Sequence, residues 1–166
     1  MLIYHPAYDA FHCVFRLLSL IANTKRLEIS KVRILDFFLT FPAEVKTIRL
    51  PPALSTKKKL AANLTNIYHG PLNSQQVFRD MEHIQIAALN ALAGSNIIDR
   101  DLLKKGYVER TSVTLPDDLQ LRIDEKNSLD EPISKFIFKE LSEMPLFGID
   151  GLKHRTGLME YRYDNV

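Results

Sequence analysis

The sequence predicts a helix-rich α+β fold with short strands, and three observations carry that expectation. Apolar residues recur at spacings of three and four through most of the chain, as in helices that bury one face. Short alternating runs sit where those helical stretches end. Prolines and glycines fall between the periodic segments and punctuate them. The chain has 166 residues, 46% of them hydrophobic and 25% charged. That is enough to bury a sizeable core and too balanced for a disordered chain.

Pro6 suits the first turn of a helix, where its missing N–H costs nothing, and an apolar run continues to about Ala22. Its polar positions, His5, Asp9, His12, Arg16, Ser19 and Asn23, are spaced 4, 3, 4, 3 and 4. They form one narrow stripe on an otherwise apolar cylinder, which is expected to meet a core or a partner subunit. Tyr8, Phe11, Phe15 and Leu18 are its candidate partner-facing residues. A second helix is expected from about Ser30 to Thr40, with Ile29, Val32, Leu35, Phe38 and Leu39 inward and Lys31, Arg33 and Asp36 outward. Pro42 stops it, Val45 to Leu50 alternates like a strand, and Pro51-Pro52 breaks the chain.

A third helix, about Ser55 to Tyr68, is expected to bury Leu60, Leu64 and Ile67. Lys57-Lys58-Lys59 stand in its first turn against the helix dipole, so a phosphate or an acidic surface is the reason sought for them. His69-Gly70-Pro71 is the expected boundary between a unit at 1–70 and a unit at 71–166, one compact module being the alternative. Ser74 is expected to cap a long helix to about Ala93 that buries Phe78, Met81, Ile84, Ala88 and Leu92 and ends at Gly94. A short helix, Asp99 to Lys105, ends at Gly106 and leads into a strand over Tyr107 to Val113. Pro116 and Pro132 each open a helix, the second burying Ile133, Phe136, Ile137 and Leu141. Gly148 and Gly151 make the tail irregular before a last alternating run, Leu158 to Tyr163.

The net charge of +2 hides an asymmetry. Residues 1–83 carry 11 Lys+Arg against 6 Asp+Glu, a balance of +5, and residues 84–166 carry 11 against 14, a balance of −3. A locally basic half can face phosphates, an acidic partner or only solvent. No stretch approaches the roughly 18 uncharged apolar residues of a spanning helix. Asp9, His12 and Arg16 interrupt the amino end as a signal peptide, and Cys13 is the single cysteine. Cytoplasmic location is therefore the expectation.

The chemistry-bearing residues do not assemble into a recognised catalytic pattern. His5, Asp9 and His12 share a helix side with Cys13 nearby, but two turns separate the imidazoles by about 10 Å, too far for one ion. Adjacent Cys13 and His12 diverge on a helix and make no nucleophile–base pair. No Gly-framed nucleophile, P-loop or dinucleotide fingerprint occurs. Asp117-Asp118, Asp124-Glu125 and Asp130-Glu131 fall at helix starts or exposed faces. The expectation is a non-enzymatic chain with no catalytic residue, cofactor or metal.

Nucleic-acid binding carries more weight. Helix, short connection, helix and then a strand with basic residues is the order of a winged helix, and Leu102 to Arg110 reads as its last helix running into a wing. Arg49, Lys57, Lys58, Lys59, Lys104, Lys105 and Arg110 are the candidate nucleic-acid or partner contacts. A pI of 8.6 is below that of a dedicated nucleic-acid binder.

Three segments carry a family resemblance: Tyr4 to His12 (YHPAYDAFH), Arg33 to Pro42 (RILDFFLTFP) with Ile48-Arg49-Leu50-Pro51, and Val77 to Leu89 (VFRDMEHIQIAAL). They resemble the middle components of prokaryotic ABC-three-component conflict systems, similar to the small subunit of Lamassu-type SMC defence complexes. The resemblance covers about residues 1–110. It implies tandem winged-helix-like units and a non-catalytic adaptor subunit of an anti-phage or anti-plasmid complex. Its implied partners are an SMC-like ABC ATPase, an effector nuclease and double-stranded DNA. The family often has Pro after the Glu of the third segment, where this chain has His83. A stand-alone winged-helix DNA-binding regulator is the alternative.

Overall fold

The computed structural model describes residues 5–64, 70–129 and 132–164. It is mainly helical. Among the described residues one ladder joins β1 (Leu27–Glu28) to β2 (Tyr107–Val108), antiparallel, with Leu27 opposite Val108 and Glu28 opposite Tyr107.

The first helix, α1 (Ala10–Asn23), starts later than Pro6 because Asp9 caps it, its carboxylate accepting from His12 N at 2.8 Å. Pro6–Tyr8 forms a separate 3-10 turn whose Ala7 N–H is taken by His5 Nδ1 at 3.2 Å. The polar stripe of α1 splits. His12 stays exposed, whereas Arg16 and Ser19 turn inward, 5% and 1% exposed.

α2 (Ile29–Thr40) is the central helix. Val32, Leu35 and Phe38 are buried as their spacing requires, but Lys31, Arg33 and Asp36 do not point outward: they are 7%, 7% and 0% exposed. The reason is enclosure. Neighbouring elements cover the helix on several sides, and each buried charge has a partner from one of them. Lys31 Nζ donates to Ser142 O at 3.2 Å and lies 3.5 Å from Glu28.

The strand expected over Val45 to Leu50 is instead a 3-10 turn, Pro42–Thr47. The buried pair there is Val45 and Ile48, each 0% exposed, and a spacing of three matches the 3-10 repeat rather than a strand. α3 (Ser55–Ala62) is shorter than its sequence period suggests and buries Ala61. Leu60 and Leu64 are 40% and 39% exposed, and Ile67 and His69 lie outside the described residues.

The long helix expected from Ser74 is interrupted for one residue at Met81, giving α4 (Ser74–Asp80) and α5 (Glu82–Gly94). Asn73 rather than Ser74 caps it, accepting from Gln76 N at 3.0 Å. α6 (Arg100–Lys104) is capped by Asp99 and ends at Gly106, whose φ of +91° suits glycine. The strand after it is cut short. Past Val108 only an isolated antiparallel bridge, Ile98–Arg110, continues the pairing, made by Thr111 N–H to Ile97 O at 2.9 Å and Asp99 N–H to Glu109 O at 3.0 Å.

α7 (Asp117–Leu129) follows Pro116, and α8 (Ile133–Phe136) runs into a π turn, Ile137–Leu141, with Ile133, Phe136, Ile137 and Leu141 all buried. In the tail, Leu158 to Tyr163 forms no strand. α9 (Leu152–Thr156) precedes it, Gly157 closes that helix at a φ of +64°, and Glu160 Oε1 takes the N–H groups of Tyr161 and Arg162. Donors held by a side chain cannot join a ladder. Among the described residues a cluster of buried apolar side chains draws members from α1, α2, α5, β2 and α8.

Candidate functional site

The ionisable groups that matter most are those the helices turn inward. Arg16 of α1 donates through Nε to Asp36 Oδ1 at 2.6 Å and through Nη2 to Oδ2 at 3.2 Å, a bidentate pair. Its Nη1 donates to Pro6 O at 3.0 Å. Gln85 of α5 bridges the next pair: Nε2 donates to Asp36 Oδ2 at 2.8 Å, and Oε1 accepts from Arg33 Nε at 3.1 Å. Arg33 then donates through Nη2 to Glu82 at 2.9 Å, and its guanidinium lies 4.8 Å over the Phe78 ring. Two cations and two carboxylates thus close a neutral chain linking α1, α2 and α5.

Burial pushes the Arg16 guanidinium down, but the Asp36 charge and hydrogen bonds outweigh it and the net shift is upward. For Arg33, more exposed at its Glu82 end, burial prevails and the shift is downward. Cys13 Sγ sits 4.0 Å from Asp36 Oδ2, and burial, then the Asp36 charge, pushes its thiol up to about 12. A thiol held protonated is a poor nucleophile and metal ligand. The bonds of this network tie α1, α2 and α5 to one another.

The network was not legible as a site from the sequence, which placed Arg33 and Asp36 on the solvent side. A signal was there: Asp36 lies four residues after Val32, on the helix side that buries Val32.

At its outer end the network meets a cleft of about 590 Å³, lined by Arg33, Arg49, Gln75, Phe78, Arg79, Glu82, Gly157, Leu158, Met159, Glu160, Tyr161 and Arg162. α2 and α4 supply Arg33 and Arg79, and the tail folds over to add Tyr161 and Arg162. That tail is fastened by Gln75 Nε2, which donates to Gly157 O at 2.7 Å, and by Arg49, whose N–H donates to Arg155 O at 3.0 Å. Arg155 Nη1 returns a bond to Arg49 O at 2.6 Å.

The basic residues singled out from the sequence are not gathered in one place. Arg49 lines the cleft, its Nη1 3.3 Å from His154 Nε2. Lys57 turns elsewhere, 3.8 Å from Glu140 and 5.8 Å from the centre of the Phe136 ring. That carboxylate and ring also explain a lysine at a helix start. Lys58 is half-buried and Lys59 exposed; neither has a salt bridge among the described residues. Lys104 pairs with Asp101 at 3.6 Å, Lys105 is exposed and Arg110 half-buried beside β2.

On the amino-terminal helix, Tyr8 and Phe11 are exposed, 44% and 67%, and Phe15 is half-buried. Leu18 is 3% exposed, so this chain's own core already covers it. His12 Nδ1 lies 2.9 Å from Asp9 Oδ1, and the His5 ring packs at 5.6 Å from Phe41. Among the described residues no group of three His, Cys, Asp or Glu is placed to hold a metal ion. Nor is any helix there long and apolar enough to cross a membrane.

Fold and site together define a mainly helical protein whose inward-facing ionisable groups are paired to each other and whose surface offers an arginine-lined cleft. The chain belongs to the middle component 5 family of ABC-three-component (ABC-3C) systems, whose model matches residues 2–164. As a middle component it works in a complex with the other components of its system. The curated proteins and the solved structures gave no match.

Proposed function

We propose that this chain is a non-catalytic adaptor in the cytoplasm, joining an SMC-like ABC ATPase to an effector nuclease in an anti-phage or anti-plasmid complex of Lamassu type. The observation that carries this reading is the family match over residues 2–164. It is supported by the pairing of the inward charges to one another and by the exposed rings of Tyr8 and Phe11, which offer apolar surface to a partner. The two winged-helix-like units, 1–70 and 71–166, belong to the same reading. The run of α6 through Gly106 into β2 supports it, and a solved structure in which no further strand joins β2 would remove the wing. Co-expression with the neighbouring gene products tests the adaptor role. Recovery of a complex containing an ATPase is the expected result, and a chain that stays a monomer beside them would overturn it.

A stand-alone DNA-binding regulator is the second reading, favoured by Lys58, Lys59 and Lys105, which lack salt bridges among the described residues. It expects duplex binding by the isolated protein, with a steep loss as salt rises. Lys58→Glu should weaken that binding; no shift of DNA at low salt rejects the reading.

A further inference from the structure

We propose that the arginine cleft docks an acidic segment of a partner protein, with its carboxylate side chains received by Arg49, Arg79 and Arg162. The proposal rests on the adaptor reading and deepens it by naming the surface and the chemistry of the contact.

Charge is the first argument. Four guanidiniums and two carboxylates line the cleft. Both carboxylates are already engaged: Glu82 binds Arg33 at 2.9 Å, and Glu160 Oε1 holds the N–H groups of Tyr161 and Arg162 at 3.0 and 2.8 Å. The lining keeps a net charge of +2, and among the described residues Arg49, Arg79 and Arg162 form no ion pair. Arg79 donates to the neutral Gln76 at 2.7 Å, and Arg49 faces a ring nitrogen and a carbonyl of His154. Arg162 has no side-chain partner among the described residues. Close by, Lys153 and Arg155 are each paired with an aspartate, at 2.9 and 2.6 Å. Unmatched positive charge is therefore concentrated where the surface is concave, and a concave charged wall focuses the field on an incoming anion.

Shape chooses among anions. A guanidinium fork fits carboxylate and phosphate alike. A cleft of about 590 Å³ has the size of a small-ligand pocket, and a DNA duplex is too broad to enter it. Glu82 and Glu160 would repel a continuous run of phosphates, whereas a peptide spaces its charges along a neutral backbone. Phe78, Leu158 and Met159 add apolar lining that suits the methylenes of a peptide side chain.

Two measurements test this on the full chain. The first is anisotropy of a fluorescent hexaglutamate peptide at low salt. Arg79→Glu/Arg162→Glu should weaken binding about tenfold or more, while Lys25→Glu/Arg122→Glu, the same charge change at exposed residues outside the cleft, should leave it nearly unchanged. Both arginines are exposed, so folding should survive, with Arg79→Gln/Arg162→Gln as the milder variant. No binding by the natural chain, or equal loss in both reversals, overturns the proposal. So does displacement by inorganic phosphate at peptide-like concentrations, or a labelled duplex that binds through the same arginines.

The second measurement is recovery of the multi-component complex. Loss of a component from Arg79→Glu/Arg162→Glu supports the docking site. Unchanged assembly of that variant overturns the site and leaves the adaptor role standing, whereas a natural chain that joins no component defeats the adaptor role itself.

Discussion

Replacing Asp36 by alanine strikes the group on which the helical core turns. Its side chain is 0% exposed and that of its partner Arg16 is 6% exposed. Without the carboxylate, Arg16 keeps one acceptor, Pro6 O at 3.0 Å, and Gln85 Nε2 loses its 2.8 Å bond. Removing one member of a buried pair costs about 3–5 kcal/mol, because the remaining charge stays desolvated. Urea unfolding of a protein this size has a slope of about 2 kcal/mol per molar, so the midpoint should fall by about 1.5–2.5 M. Far-UV circular dichroism is the readout, since the chain has no Trp. Arg16→Met/Asp36→Leu removes both charges together and should cost less than about 1 kcal/mol, or stabilise. The reasoning is refuted if Asp36→Ala costs under about 1 kcal/mol, or if the double variant is as damaged as the single one.

Three further outcomes follow from the same geometry. Because burial and the Asp36 charge raise the Cys13 thiol from 9.0 to about 12, its contribution to stability is complete below 9.0 and is lost as pH rises from there toward 12. Iodoacetamide at pH 8 should accordingly label Cys13 only as fast as the fold opens; labelling at the rate of the urea-unfolded chain would contradict its burial. Gly151→Ala would set a Cβ 2.3 Å from Phe147 O and 2.7 Å from Leu146 O. Backbone must then move, and thermal unfolding should show a loss of about 1–3 kcal/mol. Phe11→Ser alters a side chain 67% exposed, so stability should stay within about 0.5 kcal/mol. Recovery of partner components should fall, and an unchanged yield would exclude Phe11 as a contact.

Helices with one clean apolar face were legible in the sequence; enclosed ones were not. The Ile133, Phe136, Ile137 and Leu141 face is buried as its spacing says. α2 defeated the same logic because amphipathic reading assumes one dry side, and this helix is covered on several. Its Lys31, Arg33 and Asp36 are inside because other segments bring counter-charges and acceptors to them, Glu82, Arg16 and Ser142 O among these. Long-range complementarity of that kind leaves little trace in a local window. Val45 and Ile48 show a different failure, where a spacing of three was hidden within an apparent alternation. Arg49 stands out in the sequence for its charge, but Arg79 reaches the same cleft from α4 and Arg162 only through the folding of the tail.

The short ladder between β1 and β2 has a temporal consequence. Leu27 finds its partner at Val108, and Asp36 shares its carboxylate with Gln85. Closing loops of that length is slow relative to helix formation. During synthesis α1 and α2 emerge well before the segments that satisfy them, carrying an apolar surface and a half-partnered carboxylate. The first third of the chain must wait, exposed, for residues near 108 to arrive. In that interval the nascent chain is most open to aggregation or to capture by another protein.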